Sequence, residues 1–330
     1  MSSGSGESAA HSRVGRLLAY AAIYFLWGAS FLAIRVIVAV VPPLLAAGFR
    51  FLAAGLILFA WSMLRGGAFP KLREWRSAAL LGVVMFACNY GPLFWAEQRV
   101  PSGVAAIISA LIPVWIAGFE WSRSGSRMPG RLIAGTACGL AGVVALSLTP
   151  GHVSSQRIDL AALIALLVGT VAWSVGTIWS RSLPLPKSKP VSAGIQMMLG
   201  GLTLTGASFV SGDARHFSAA ALNSSVIGSM LYLVIGASIV AFTAYVWLLG
   251  HEPATRVASY AYVNPVIAVL LGWTLGGEKL SLQIVAGMFF VLIAVIAVLV
   301  QPQKTDRKHR ASGPRKPETD YTEATEYTDA

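Results

Sequence analysis

The chain has 330 residues, of which 55% are hydrophobic and only 12% charged. A soluble domain keeps about a quarter of its residues as Asp, Glu, Lys or Arg, so most of this surface faces something other than water, with lipid the obvious candidate. The net charge of +11 does not mark a nucleic-acid binder, because the basic residues cluster in short segments between long apolar runs.

The first 16 residues are polar and Ser/Gly-rich, and no small-residue cleavage site follows the first apolar run, so they read as a cytoplasmic tail rather than a removable signal. A hydrocarbon core about 30 Å thick takes about 20 apolar residues of helix. Runs of that size predict helices over 17–38, 44–64, 77–96, 102–121, 131–149, 159–180, 191–211, 226–249, 256–276 and 283–300, with short connections between them. Residues 301–330 are first basic, then acidic and Thr-rich, and predict a disordered cytoplasmic tail. With both termini placed inside, 19 of the 25 Lys and Arg residues fall on the inner side. Arg35, Arg50, Arg99, Arg157, Arg215 and Lys279 fall on the outer side or its helix ends. That imbalance is what fixes the orientation of a polytopic protein.

The chain is also similar to itself. A shift of 152 residues brings Trp95, Pro101, Pro113, Trp121 and Gly135 onto Trp247, Pro253, Pro265, Trp273 and Gly287 without a gap. A shift of 146 brings Trp27, Arg35, Gly48 and Gly55 onto Trp173, Arg181, Gly194 and Gly201. The expected fold is therefore an all-α integral membrane protein of ten transmembrane helices in two five-helix repeats, 17–149 and 159–300. An odd number of helices per unit inverts the second unit relative to the first. Inverted repeats are a hallmark of secondary transporters, whose substrate sits near the midplane between the repeats. Arg50 and Gln196 are counterparts in this frame, each about 9 Å into its helix from opposite sides.

At these positions the residues resemble a known family. Trp27-Gly28-Ala29-Ser30-Phe31 with Arg35, Pro42-Pro43, and Gly48-Phe49-Arg50-Phe51-Leu52-Ala53-Ala54-Gly55 resemble the first two helices of EamA-type members of the drug/metabolite transporter superfamily. Ala96-Glu97-Gln98, Val100-Pro101-Ser102-Gly103 and Tyr262-Val263-Asn264-Pro265-Val266 with Gly276-Gly277-Glu278 are similar to its YedA-type branch in the bacterial inner membrane. The chain departs from many members at Glu120-Trp121, where they have Gly-Glu. The resemblance implies ten helices in two inverted repeats and export of amino acids or other small polar metabolites.

A charge inside a span costs at least about 2.5 kcal/mol on insertion scales, so it faces a partner, a cavity or the headgroups. Arg50 is either a fixed cation for a carboxylate or phosphate, or a residue snorkelling to the outer headgroups. Arg35, nearer its helix end, reads as snorkelling. Glu97 and Glu120 read as solvated carboxylates at span ends, leaving proton coupling unreadable. Asn89-Tyr90-Gly91-Pro92 and Asn264-Pro265 place an amide near a helix breaker, which frees backbone polar groups for a substrate. Pro113 and Pro265 each suit the start of a discontinuous helix's second half. Tyr24, Trp27, Trp95, Trp173, Tyr245, Trp247 and Tyr262 are central enough to stack against a substrate. The candidate substrate-binding set is Trp27, Arg50, Asn89, Tyr90, Trp95, Trp173, Gln196, Tyr245, Tyr262 and Asn264.

No cofactor or metal is expected. Cys88 and Cys138 lie in apolar runs, the five histidines lie in polar stretches, and HExxH and GxSxG are absent. The expected partners are a small-molecule substrate and membrane lipid, not nucleic acid, and nothing fixes an oligomeric state. Two other classes compete with a transporter. A membrane-embedded enzyme lacks a catalytic constellation, and a non-transporting partner or sensor subunit lacks a soluble domain beyond the 30-residue tail. Substrate, direction and driving force are not written in the sequence.

Overall fold

A computed structural model of the chain describes residues 4–123, 130–147, 159–252 and 254–299, which are helical and free of strands among the described residues. Among the described residues, seven helices are long and apolar enough to cross a membrane, with bounds that track the hydropathy runs. In chain order the helices are α1 (Gly4–Val38), α2 (Pro43–Leu64), α3 (Leu72–Ala96), α4 (Ser102–Ser122), α5 (Gly130–Ser147), α6 (Leu160–Trp179), α7 (Lys189–Ser211), α8 (Ser224–Leu249), α9 (Tyr260–Thr274) and α10 (Leu282–Leu299). The shorter α5, α9 and α10 stand where the fifth, ninth and tenth helices are expected. Residues 301–330, expected as a tail, lie outside the described residues.

Helix ends follow local chemistry. Asp159 caps α6 through Ala161 N (2.8 Å), Asn223 caps α8 through Val226 N (3.0 Å), and Gly212 ends α7 at φ +79°, where a side chain would be strained. By contrast, α1 begins at Gly4, inside the stretch expected as a tail. Extending a formed helix adds a hydrogen bond per residue, and no proline in residues 4–16 blocks it.

The most extensive helix contacts are α2 with α7 and α5 with α10. The first crossing is built on glycine. A Cβ on Gly55 would meet Gly194 O at 2.7 Å as well as Met198 N, and one on Gly194 would meet Phe59 N at 2.9 Å. Likewise a Cβ on Gly201 would run into Leu52 N, and one on Gly48 would lie 2.7 Å from Thr205 N. Such close backbone approach is how membrane helices associate without a hydrophobic drive between them. On the outer surface, Phe49, Leu56, Phe209, Val210, Leu270 and Phe289 are exposed, an apolar coat that suits lipid rather than water.

Successive spans with short connections place Arg65, Lys71, Arg73, Arg76, Arg123, Arg181, Lys187, Lys189 and Arg256 at one face of the molecule, here called the basic face. Residues 39–42, 97–101, 212–223 and 275–281 lie at the opposite face. Two features interrupt regular helix between these faces. The middles of α3 (Gly82–Ala87) and α8 (Tyr232–Val240) are π-helical. In addition, α4 breaks at residues 110–111, with Pro113 in the first turn of its second part. In the later half a short turn, Ala254–Val257, precedes the break at residues 258–259, and Pro265 lies inside α9. Pro265 therefore does not open a second half-helix as Pro113 does. Its preceding residue keeps helical geometry, and the chain yields earlier.

Candidate functional site

Where α1, α3, α4, α6 and α9 converge lies a cavity of about 50 Å³, with Trp27, Ser30, Asn89, Tyr90, Ser109, Trp173, Tyr260, Ala261, Asn264 and Pro265 among its walls. It has room for a few waters and not for an amino acid. Five of the ten expected site residues meet here: Trp27, Asn89, Tyr90, Trp173 and Asn264.

Each is held in place. Trp27 Nε1 donates to Ala237 O (2.9 Å), a carbonyl in the π-helical part of α8, where the widened turn disturbs the regular helical ladder. Asn264 turns its amide nitrogen to the backbone carbonyls of Tyr24 (2.9 Å) and Tyr260 (3.3 Å). Pro265 has no N–H for the carbonyl four residues back, which leaves an acceptor at the lining residue Ala261. Gly169 lets α6 approach α3, since a Cβ there would lie 3.0 Å from Asn89 Oδ1. Trp173 Nε1 is buried without an acceptor.

Aromatic rings close the cavity on the basic side. The Trp27 ring centre lies 5.8 Å from Trp173, 5.2 Å from Tyr245 and 5.1 Å from Tyr260, and Trp173 lies 5.7 Å from Tyr245. These separations are ordinary for interacting rings. Tyr245 OH and Thr177 Oγ1 are 2.9 Å apart, which fixes the layer to α6. Beyond it lies a vestibule of about 250 Å³ lined by Arg181, Lys189, Ser192, Gln196, Phe242 and Tyr245. Gln196 and Tyr245 thus belong to the vestibule and not to the central cavity. Gln196 is buried and donates from Nε2 to Ser192 Oγ (3.0 Å).

Arg50 is 1% exposed, which removes the snorkelling alternative. It stands behind the cavity wall, its guanidinium carbon 5.1 Å from the Tyr90 ring centre and 4.5 Å from that of Phe51. Nε donates to Ser238 Oγ (3.0 Å), again on the π-helical part of α8, and Nη1 is buried without a partner. No salt bridge to Arg50 occurs among the described residues; rings and the Ser238 hydroxyl contact it, and Glu97 acts on it only through space.

Trp95 lies apart from the central cavity, in a broad apolar groove of about 940 Å³ beside Leu44, Ile164 and Leu204, with the Arg99 guanidinium 3.9 Å from its ring centre. Its counterpart Trp247 carries His251 stacked at 4.2 Å, so both tryptophans pair with a polar residue four positions on, at a helix end. The backbone of Tyr262 lies in α9, but its side chain is outside the described residues. Tyr260 is the cavity residue of that run. Helical period carried the signal, since 260, 261 and 264 share a face. Ser30, Ser109 and Ser238 were also missed, and single serines in apolar helices carry little sequence signal. Glu97, expected at the solvated interface, is fully buried.

Polar contacts tie the two faces. At the opposite face Asp213 Oδ2 accepts from Leu44 N (3.1 Å) and Leu45 N (3.3 Å) at the start of α2. Glu278 accepts from Ser102 N (2.8 Å) at the start of α4. Both acids come from the later half and cap helices of the earlier half, where the helix dipole favours negative charge. At the basic face Glu252 pairs with Arg256 (2.6 Å) and Arg16 (3.5 Å), and Arg181 lies 3.7 Å from Glu120.

The profile of the EamA-like transporter family matches this chain in two stretches, residues 14–148 and 160–300. YedA of Escherichia coli (strain K12), described as an uncharacterized inner membrane transporter, is 36% identical over 278 residues, 84% of this chain and 88% of the relative. A probable amino-acid metabolite efflux pump of Salmonella typhimurium is 28% identical over 81% of this chain and 91% of its own length. One crystal structure shares the fold with a TM-score of 0.60 at 21% identity, over 86% of this chain and 97% of the other. The helical architecture, its lipid-suited surface and these matches agree: the chain belongs to the EamA-like transporter family.

Proposed function

We propose that the chain is a secondary transporter that exports amino acids or related zwitterionic or anionic metabolites across the bacterial inner membrane by alternating access. The observation that carries this reading is the buried Arg50, its Nη1 without a hydrogen-bond partner, behind a small cavity walled from both halves of the chain. Arg50 Nη1 is a buried donor in want of an acceptor, and a carboxylate supplies one. The aromatic walls suit the apolar part of such a molecule, and the cavity opens by rearrangement of the rings around it.

Several observations support a cycle built on ten crossings in two inverted repeats, 17–149 and 159–300. One profile matches the chain twice, the second and seventh helices cross each other, as do the fifth and tenth, and π-helical turns occur in both the third and the eighth. The charge imbalance between the faces favours a cytoplasmic basic face, with both termini on that side. The amino-acid assignment takes support from the similarity to the Salmonella typhimurium relative, a probable amino-acid metabolite efflux pump.

The test is flux of a pooled, labelled set of amino acids and small metabolites into proteoliposomes, with and without a pH gradient. Saturable flux of at least one compound is expected. Absence of flux for every compound, from protein shown to be folded, overturns the reading.

A further inference from the structure

Glu97 ends α3 at the opposite face, one residue beyond the span Leu72–Ala96. Its side chain is 0% exposed, and neither carboxyl oxygen has a hydrogen-bond partner. The charged groups around it leave it unsatisfied. Arg35 of α1 directs Nη1 to the backbone carbonyls of Glu97 and Val100 rather than to the carboxyl group. Arg50 of α2 acts on it only through space. Glu278, from the connection between α9 and α10, adds a second negative charge and is itself held by Ser102 N. Burial first, and then Glu278, push the Glu97 carboxyl well above the usual carboxylate range, against the opposing pull of Arg35 and Arg50.

Glu97 sits in the seam that closes this face. Arg35 ties α1 to the connection between α3 and α4, Gln98 Nε2 donates to Val38 O (3.1 Å), and Glu278 ties the later half to the start of α4. One helical turn below, Leu93 lines the central cavity, and its carbonyl accepts from Glu97 N (3.0 Å). Any movement that opens the cavity toward this face must shift Glu97.

We propose that Glu97 is a proton-binding site of the transport cycle: it carries a proton while this face is closed and releases it to the adjoining water when the face opens. The inference rests on the transporter reading. Opening the seam wets the carboxyl group, separates it from Glu278 and lets Arg35 meet an ionised oxygen. Closing it again requires the proton back, because an ionised carboxylate without a donor is strongly disfavoured in a dry seam. One O–H bond breaks and re-forms per cycle, with water as the proton acceptor and donor.

Two measurements on the full chain and its Glu97→Gln variant test this. The first is the thermal midpoint of the detergent-purified protein against pH. The folded state keeps the Glu97 proton to higher pH than the unfolded chain, which loses it near about 4.3. This group's contribution therefore falls as pH rises from that value through the raised folded-state value. Glutamine is neutral throughout, so the variant's midpoint exceeds the wild type's at about pH 8, and the gap closes toward about pH 5. The second is proteoliposome flux of pooled labelled amino acids, which depends on pH in the wild type and loses that dependence in the variant. A midpoint gap that does not change with pH, or a pH dependence of flux that survives in Glu97→Gln, overturns the proposal. Absence of wild-type flux overturns the transporter reading and with it the cycle, while the midpoint titration still reads the proton site.

Discussion

Arg50 and Gln196 stand 146 residues apart at corresponding places in α2 and α7, the two helices that cross most closely. The backbone around them is nearly symmetric: Gly48 and Gly55 on one helix and Gly194 and Gly201 on the other make the crossing. The side chains are not. Gln196 is neutral, bonds to Ser192 on its own helix and faces the vestibule. Arg50 carries a charge, reaches across to Ser238 on α8 and leaves Nη1 unpaired behind Tyr90. In the proposed reading, two repeat-related positions are alike in backbone setting, and recognition falls where their side-chain chemistry differs.

Breaking the symmetric part has the largest effect. Gly55→Val or Gly194→Val forces a side chain into a backbone-to-backbone contact and costs about 3 kcal/mol or more, at or above the upper end of ordinary overpacking. A fall of several degrees in the thermal midpoint, or failure to accumulate folded protein, checks this. Gly206→Ala on α7, where nothing lies within 4 Å, leaves the midpoint essentially unmoved.

The asymmetric part sharpens the comparison. Arg50→Ala lowers flux by about 10- to 100-fold, the range for losing a charged hydrogen-bonding group, while Gln196→Ala lowers it severalfold at most. Next, Ser238→Ala removes the one hydrogen bond that orients Arg50. At about 1 kcal/mol it lowers flux by about fivefold with insertion intact, read by flux per inserted molecule. The smallest effect is expected at Trp95. Its groove is separate from the cavity, so Trp95→Ala keeps flux within about twofold of wild type while Trp173→Ala does not.

Much of this was legible in the sequence because membrane helices announce themselves by length and apolarity. The spans 44–64 and 102–121 fall within a residue of α2 and α4. Matched Trp, Pro and Gly residues exposed the self-similarity, and the four matched glycines lie in the α2–α7 contact, Gly55 against Gly194 and Gly48 against Gly201. Trp27 and Trp173, also matched, meet at 5.8 Å.

Side-chain depth was less legible. Distance from a helix end does not say whether a residue points to lipid, cavity or seam, so Arg50 was left open between a binding cation and a snorkelling one, and Glu97 was placed too near water. Trp95 lies apart from Trp27 and Trp173 because matched aromatics can share a helix-end role as easily as a cavity. The π-helical segments carried no signal at all. They depend on how α3 and α8 pack, and they place Ala237 O and Ser238 where Trp27 and Arg50 use them.

The central claim is that Arg50 recognises the transported molecule. Flux of the pooled amino acids in wild type, Arg50→Ala and Gln196→Ala, each reconstituted from protein with an unchanged thermal midpoint, tests it most directly. Saturable wild-type flux that Arg50→Ala loses and Gln196→Ala largely keeps is the predicted result. Equal flux in wild type and Arg50→Ala would contradict the claim.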